Sequence, residues 1–103
     1  MTQNDFGKIL LSAVEDGLSS LGNSPKQSIL FHLEDSFQIE KENIPKNLLR
    51  FRNALEGLFG PGAPYIEKTI ARRLHEKLGL EFKESQSMDF LECVSDARKR
   101  IMF

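Results

Sequence analysis

The chain predicts an all-α fold, a compact bundle of about five helices arranged as antiparallel hairpins. Three observations predict it. Apolar residues recur with the helical period along five segments. No stretch alternates apolar and polar over six residues, and β-branched residues are sparse. Glycine, proline and capping residues fall where one periodic segment gives way to the next.

The first helix is expected from about Asn4 to Leu21. Phe6, Ile9, Leu10, Ala13, Val14, Leu18 and Leu21 form one apolar stripe along it. Gly22-Asn23 supplies a left-handed stop. Ser24-Pro25-Lys26-Gln27 then opens a second helix, with Ser24 as N-cap, Pro25 in the first turn and Gln27 completing a capping box. So short a connection makes the pair an antiparallel hairpin. Ile29, Leu30, Leu33 and Phe37 are the second stripe, which ends near Phe37 to Ile39.

Residues 40–46 read as a polar connection with a turn at Asn43-Ile44-Pro45, because a residue before proline is pushed out of the helical region. Asn47 is the candidate cap of a third helix carrying Leu48, Phe51, Ala54, Leu55, Leu58 and Phe59, and Gly60 ends it. Gly60-Pro61-Gly62-Ala63-Pro64 is the sharpest break in the chain. Helix four runs from about Pro64 to Leu78, with Ile66, Ile70, Leu74 and Leu78 in an i, i+4 row and Gly79 as stop. Residues 80–83 look extended or irregular. Ser87 is expected to cap the last helix, about Met88 to Met102. Asp89 lies in its first turn and Arg98-Lys99-Arg100 in its last, as the helix dipole prefers.

Composition bounds the rest. At 103 residues the chain reads as one domain, residues 1–103. Folding at this length buries roughly 65% of the unfolded surface, enough for one core. Apolar residues make up 40% and charged residues 28%, a balance that suits a globular fold. Apolar runs stop at three residues, so no membrane span is expected, and no export signal is visible, which places the protein in the cytoplasm. The single cysteine cannot form an internal disulfide or a four-ligand zinc site. A net charge of -1 removes the simplest case for a polybasic coat. Charge is nonetheless uneven. Residues 1–44 are net acidic and residues 45–78 net basic. Two readings stand: the acidic hairpin packs on the basic helices, or the surface is bipolar and meets a partner.

Each candidate for chemistry has a plainer account beside it. His32 and Asp35 share a helix face at i, i+3, but two ligands make no metal site and surface ion pairing explains them. Cys93 sits mid-helix beside Glu92, with nothing local to make it a thiolate, and reads as a half-buried structural thiol. The Gly60–Pro64 loop precedes a helix as phosphate loops do. It has no strand before it and no Lys-Ser or Lys-Thr, and Pro61 and Pro64 remove donors, so a helix stop and start account for it. Glu67 falls inside the apolar row of helix four. Either the first-turn amides and helix dipole hold it, or it pairs with Arg50 or Arg52. The opposite face carries Tyr65, Lys68, Arg72 and His75, a basic stripe with one aromatic: a solvated surface, or a partner-binding one. Phe31 lies off the second stripe, so it is either wrapped by another helix or exposed for a partner, and Phe82 and Phe103 pose the same question.

Several segments match a known pattern: SPKQSILFHLE from Ser24 to Glu34, IEKENIPKN from Ile39 to Asn47, FGPGA from Phe59 to Ala63, Ile66-Glu67-Lys68, and LHEKLGL from Leu74 to Leu80. Together they resemble the Nitrosopumilus output domain, a small all-helical domain of ammonia-oxidising archaea, over roughly residues 5 to 100. The resemblance rests on helices and turns, not on a catalytic motif. It implies a signal-transduction output or interaction module, a domain often fused to a receiver or sensor. A chain this short is then a free-standing member or a fragment. The resemblance offers no catalytic residues to carry over.

The expected function is therefore a non-enzymatic interaction module acting through protein contacts, with a protein partner or a homodimer, and with Phe31, Tyr65, Lys68, Arg72 and His75 as its binding residues. No cofactor, metal or small-molecule substrate is evident. The alternative is a nucleic-acid-binding regulator using Arg50, Arg52, Lys68, Arg72 and Arg73 on helices three and four. That segment lacks the polar set used to read bases.

Overall fold

The first helix begins one residue before the apolar stripe requires, because Thr2 and Asp5 close a capping box. The Thr2 hydroxyl accepts the Asp5 N–H at 3.1 Å, and the Asp5 carboxylate accepts the Thr2 N–H at 3.4 Å. Those hydrogen bonds hold the Asp5 carboxyl below its ordinary range. The computed structural model describes residues 2–82 and 89–101. Among them the chain forms five α-helices: α1 (Gln3–Ser19), α2 (Asn23–Phe37), α3 (Leu48–Phe59), α4 (Ala63–Lys77) and α5 (Phe90–Ile101). The described residues contain no strand, and the all-α class read from the sequence holds.

The expected stripes are largely the buried ones. Phe6, Leu10, Ala13, Val14 and Leu18 of α1 are fully enclosed, as are Phe51, Ala54 and Leu55 of α3. Ile66, Ile70, Ala71 and Leu74 of α4 join them, with Phe90, Val94 and Ala97 of α5. The buried Cys93 completes the set.

The ends of α2 and the connection after it differ from expectation. Helix α2 starts at Asn23 behind Gly22, whose φ of 107° needs a glycine, and no side chain caps it. Ser24 is already inside the helix, so neither a Ser24 cap nor a Gln27 capping box forms. Pro25 costs nothing there, since the first backbone hydrogen bond is the one from Lys26 to Gly22. At the other end Gln38 turns left-handed, and Ile39 returns its N–H to the Leu33 carbonyl at 2.8 Å. The chain then winds into a 3-10 turn, Lys41–Lys46, where a polar connection was expected. This turn drives Ile44 fully into the core, with Ile39 beside it. Asn47 precedes α3 but does not cap it. Its side chain donates back to the Asn43 carbonyl at 3.1 Å.

Gly60 and Gly79 both carry positive φ, as helix stops should. After α4 the Gly79 N–H returns to Glu76 and the Leu80 N–H to His75, a Schellman closure. The expected Ser87 cap, Met88 and Met102 lie outside the described residues. Asp89 takes the capping place before α5, accepting the Leu91 N–H at 3.2 Å.

The helices do not simply pack as sequential hairpins. The most extensive contact joins α1 to α4, across the chain. Gly17 makes it possible: a Cβ placed there would lie 2.5 Å from Cγ1 of Ile70. Around this pair, α2 and the 3-10 turn pack on α1, while α3 and α5 pack on α4. The radius of gyration is 12.9 Å, close to the roughly 13 Å of a folded domain this long. No described helix is long and apolar enough to cross a membrane.

Candidate interaction surface

Tyr65, Lys68 and Arg72 share the outer face of α4, as their i, i+3, i+7 spacing requires. Tyr65 is 70% exposed and Lys68 is exposed, while Arg72 is half-buried. His75 does not belong to this face, which corrects its assignment as a binding residue. It is only 3% exposed, its Nδ1–H donates to the Ala71 carbonyl at 2.8 Å, and Phe82 covers its ring at 5.1 Å. The wheel placed His75 outward. The chain leaving α4 folds Phe82 back over it, which also settles Phe82 as a packing residue. Phe103 lies outside the described residues.

Phe31 stands on α2, whose neighbours are α1, α3 and the 3-10 turn. It is 62% exposed, while the other six described phenylalanines are buried or half-buried. Its ring meets only the edge of His32, at 5.7 Å, among the ring contacts of the described residues. The expected surface thus divides into a basic face on α4 with one tyrosine and an acidic helix, α2, with one phenylalanine. Leu49 is 54% exposed at the start of α3, which the stripe did not reveal because Leu49 sits between stripe positions.

Much of the basic charge is spent inside the molecule. The Arg50 Nη2 donates to the Phe37 carbonyl at 2.6 Å and ties α3 to the end of α2. Arg52 reaches Asp89 at 3.0 Å and Glu56 at 3.8 Å. Arg73 pairs with Glu76 at 3.5 Å. Lys77 pairs with Asp16 at 2.7 Å, the bridge among the described residues that joins the basic helices to the acidic hairpin. Internal complementarity therefore accounts for part of the charge asymmetry and leaves Lys68 outward.

Neither the first-turn amides nor an arginine hydrogen-bonds the buried Glu67 Oε2, although the Arg52 charge still acts on the carboxyl. Helix α4 starts at Ala63, which puts Glu67 beyond the unbonded first-turn amides. Arg50 and Arg52 are engaged elsewhere, and the buried Oε2 of Glu67 has no hydrogen-bond partner among the described residues. Burial pushes its carboxyl above the ordinary value. The charges of Glu56 and Asp89 add to that and outweigh the opposing pull of Arg52.

The described residues show no grouping of three or more metal-binding side chains. His32 and Asp35 form no ion pair with each other, and it is the Asp35 backbone carbonyl that accepts the Gln38 side-chain amide, at 3.1 Å. Burial raises the Cys93 thiol above its usual range, and Asp89, Asp96 and Glu92 push it further, so it stays protonated at neutral pH. Compared with family models, curated proteins and solved structures, the chain matches none.

Proposed function

We propose that this chain is a small non-enzymatic interaction module, an output domain of archaeal signal transduction that works through protein–protein contacts. One observation carries the reading. Phe31 is held in solvent on α2 although six other described phenylalanines are packed. An exposed aromatic of this size costs free energy in water and returns it on burial against a partner. The resemblance to the Nitrosopumilus output domain points the same way. So does the internal use of Arg50, Arg52 and Arg73, which draws cationic charge away from phosphate binding.

The test is capture from native extract with the full chain as bait, after nuclease treatment, quantified by mass spectrometry. Phe31→Ala is expected to lower recovery of the specific partner by roughly tenfold. Its melting temperature should match the parent, since the side chain packs on little. Light scattering of both proteins would reveal a homodimer by the same criterion. Recovery lost on nuclease treatment would move the reading to nucleic acid, and equal recovery by Phe31→Ala would remove Phe31 from the interface.

A further inference from the structure

We propose that a groove between the first turns of α1, the Lys41–Lys46 turn and α5 binds a small organic anion, an acidic head on an aliphatic or aromatic body. The groove, half open to solvent, has a volume of about 550 Å³, within the roughly 300–1,000 Å³ of small-molecule pockets. Its apolar part is Leu11 and Pro45, with Gly7 giving the room between them. A Cβ on Gly7 would meet the Pro45 ring at 3.7 Å. Lys8, Lys46 and Arg98 supply three positive charges against one carboxylate, Glu42. Asp5, one helical turn before Lys8, offsets part of that charge.

Arg98 decides the sign of the ligand. Its guanidinium carbon lies 5.0 Å from the centre of the enclosed Phe6 ring. Its Nε is buried with no hydrogen-bond partner, and no carboxylate of the described residues pairs with it. The nearest acidic candidate on its own helix, Asp96, pairs with Arg100 at 3.1 Å instead. A half-buried guanidinium with no counter-ion among the described residues offers a bound anion a charge-assisted partner. At the N-terminus of α1 the Thr2–Asp5 capping box already satisfies two of the amides, and the charge that draws an anion comes from the three basic side chains. Apolar walls with convergent cations select a molecule with both features over a bare anion or a neutral hydrocarbon. The groove shares no residue with the Phe31 and Tyr65 surfaces, so the inference stands apart from the interaction reading.

The test is a titration of the full isotope-labelled chain, followed by amide chemical shifts. The probe is 4-phenylbutyrate, with 4-phenylbutanol and inorganic phosphate as matched controls. Saturable shifts are expected at Gly7, Lys8, Leu11 and Lys46, with each control at least about tenfold weaker. The double variant Lys8→Ala, Lys46→Ala changes two exposed side chains and should weaken the acid about fivefold or more at an unchanged melting temperature. Arg98→Met keeps a side chain over Phe6, removes the charge and should abolish binding. If that variant does not fold, the double variant decides. Shifts that do not saturate, an alcohol or a phosphate that binds as tightly as the acid, or a double variant that binds like the parent would each overturn the proposal.

Discussion

At the scale of single residues, the closest tolerance lies at Gly17. Within a helix, glycine to alanine ordinarily gains about 0.5–1 kcal/mol. Here the added methyl would lie 2.5 Å from Cγ1 of Ile70, too close for any Cβ, so the Ile70 side chain or the two helices must shift. Gly17→Ala should therefore lose about 1–3 kcal/mol in urea denaturation; a gain would mean that α1 and α4 slide apart at little cost. A second residue-scale prediction concerns Glu67. Its folded-state pKa is raised, so protonation favours the fold: the stabilising effect is full below the ordinary carboxylate value and is lost as pH rises through the folded value. Glu67→Gln should melt higher than the parent at pH 7, and the gap should close as the pH is lowered towards the carboxylate range. A gap independent of pH would assign the effect to packing instead of charge. Phe31 and Glu67 were both legible from the wheel, as residues on the wrong side of their helix. Gly17 was not, because a stripe of apolar side chains passes over a position that has none.

At the scale of elements, the boundaries set by glycine backbone geometry were readable, whereas capping side chains pointed to helix starts that no side chain in fact caps. Gly60 and Gly79 end helices as their left-handed preference dictates. Ser24, Asn47 and the Lys41–Lys46 turn were not legible because serine, asparagine and lysine suit a cap, a turn or a short helix alike, and only the neighbouring elements choose. The docking of α5 is the clearest case of such a choice. Asp89 both caps the helix through the Leu91 N–H and holds Arg52 of α3 at 3.0 Å. Asp89→Ala should cost about 1–2 kcal/mol through the cap alone. Asp89→Asn retains a capping oxygen and gives up the charge facing Arg52, so it should cost distinctly less. Equal losses in chemical denaturation would place the contribution in the ion pair, and no loss in either would show that α5 is positioned by its apolar face alone.

For the molecule as a whole, the helical class came from the period of the apolar residues, but the pairing of helices did not. Periodicity reports which face of a helix is buried and is silent about what buries it. The same limit explains the candidate surface. Tyr65 and Lys68 were correctly placed outward by the wheel, whereas His75 is covered by Phe82 from a segment with no helical period. The resulting architecture has an uneven distribution of burial. Each of α1 and α4 buries six residues, while α2 buries only Ile29 and Leu33. Opening free energy tracks burial, so α2 should be the least protected of these helices. In hydrogen exchange, its amides should exchange at least about tenfold faster than those of Leu10 to Leu18 and Ile70 to Leu74. That gradient would place Phe31 on an element able to adjust to a partner without disturbing the α1–α4 pair. Uniform protection across α1, α2 and α4 would show instead that α2 opens only when the whole bundle does, and a partner would then have to fit the Phe31 surface as it stands.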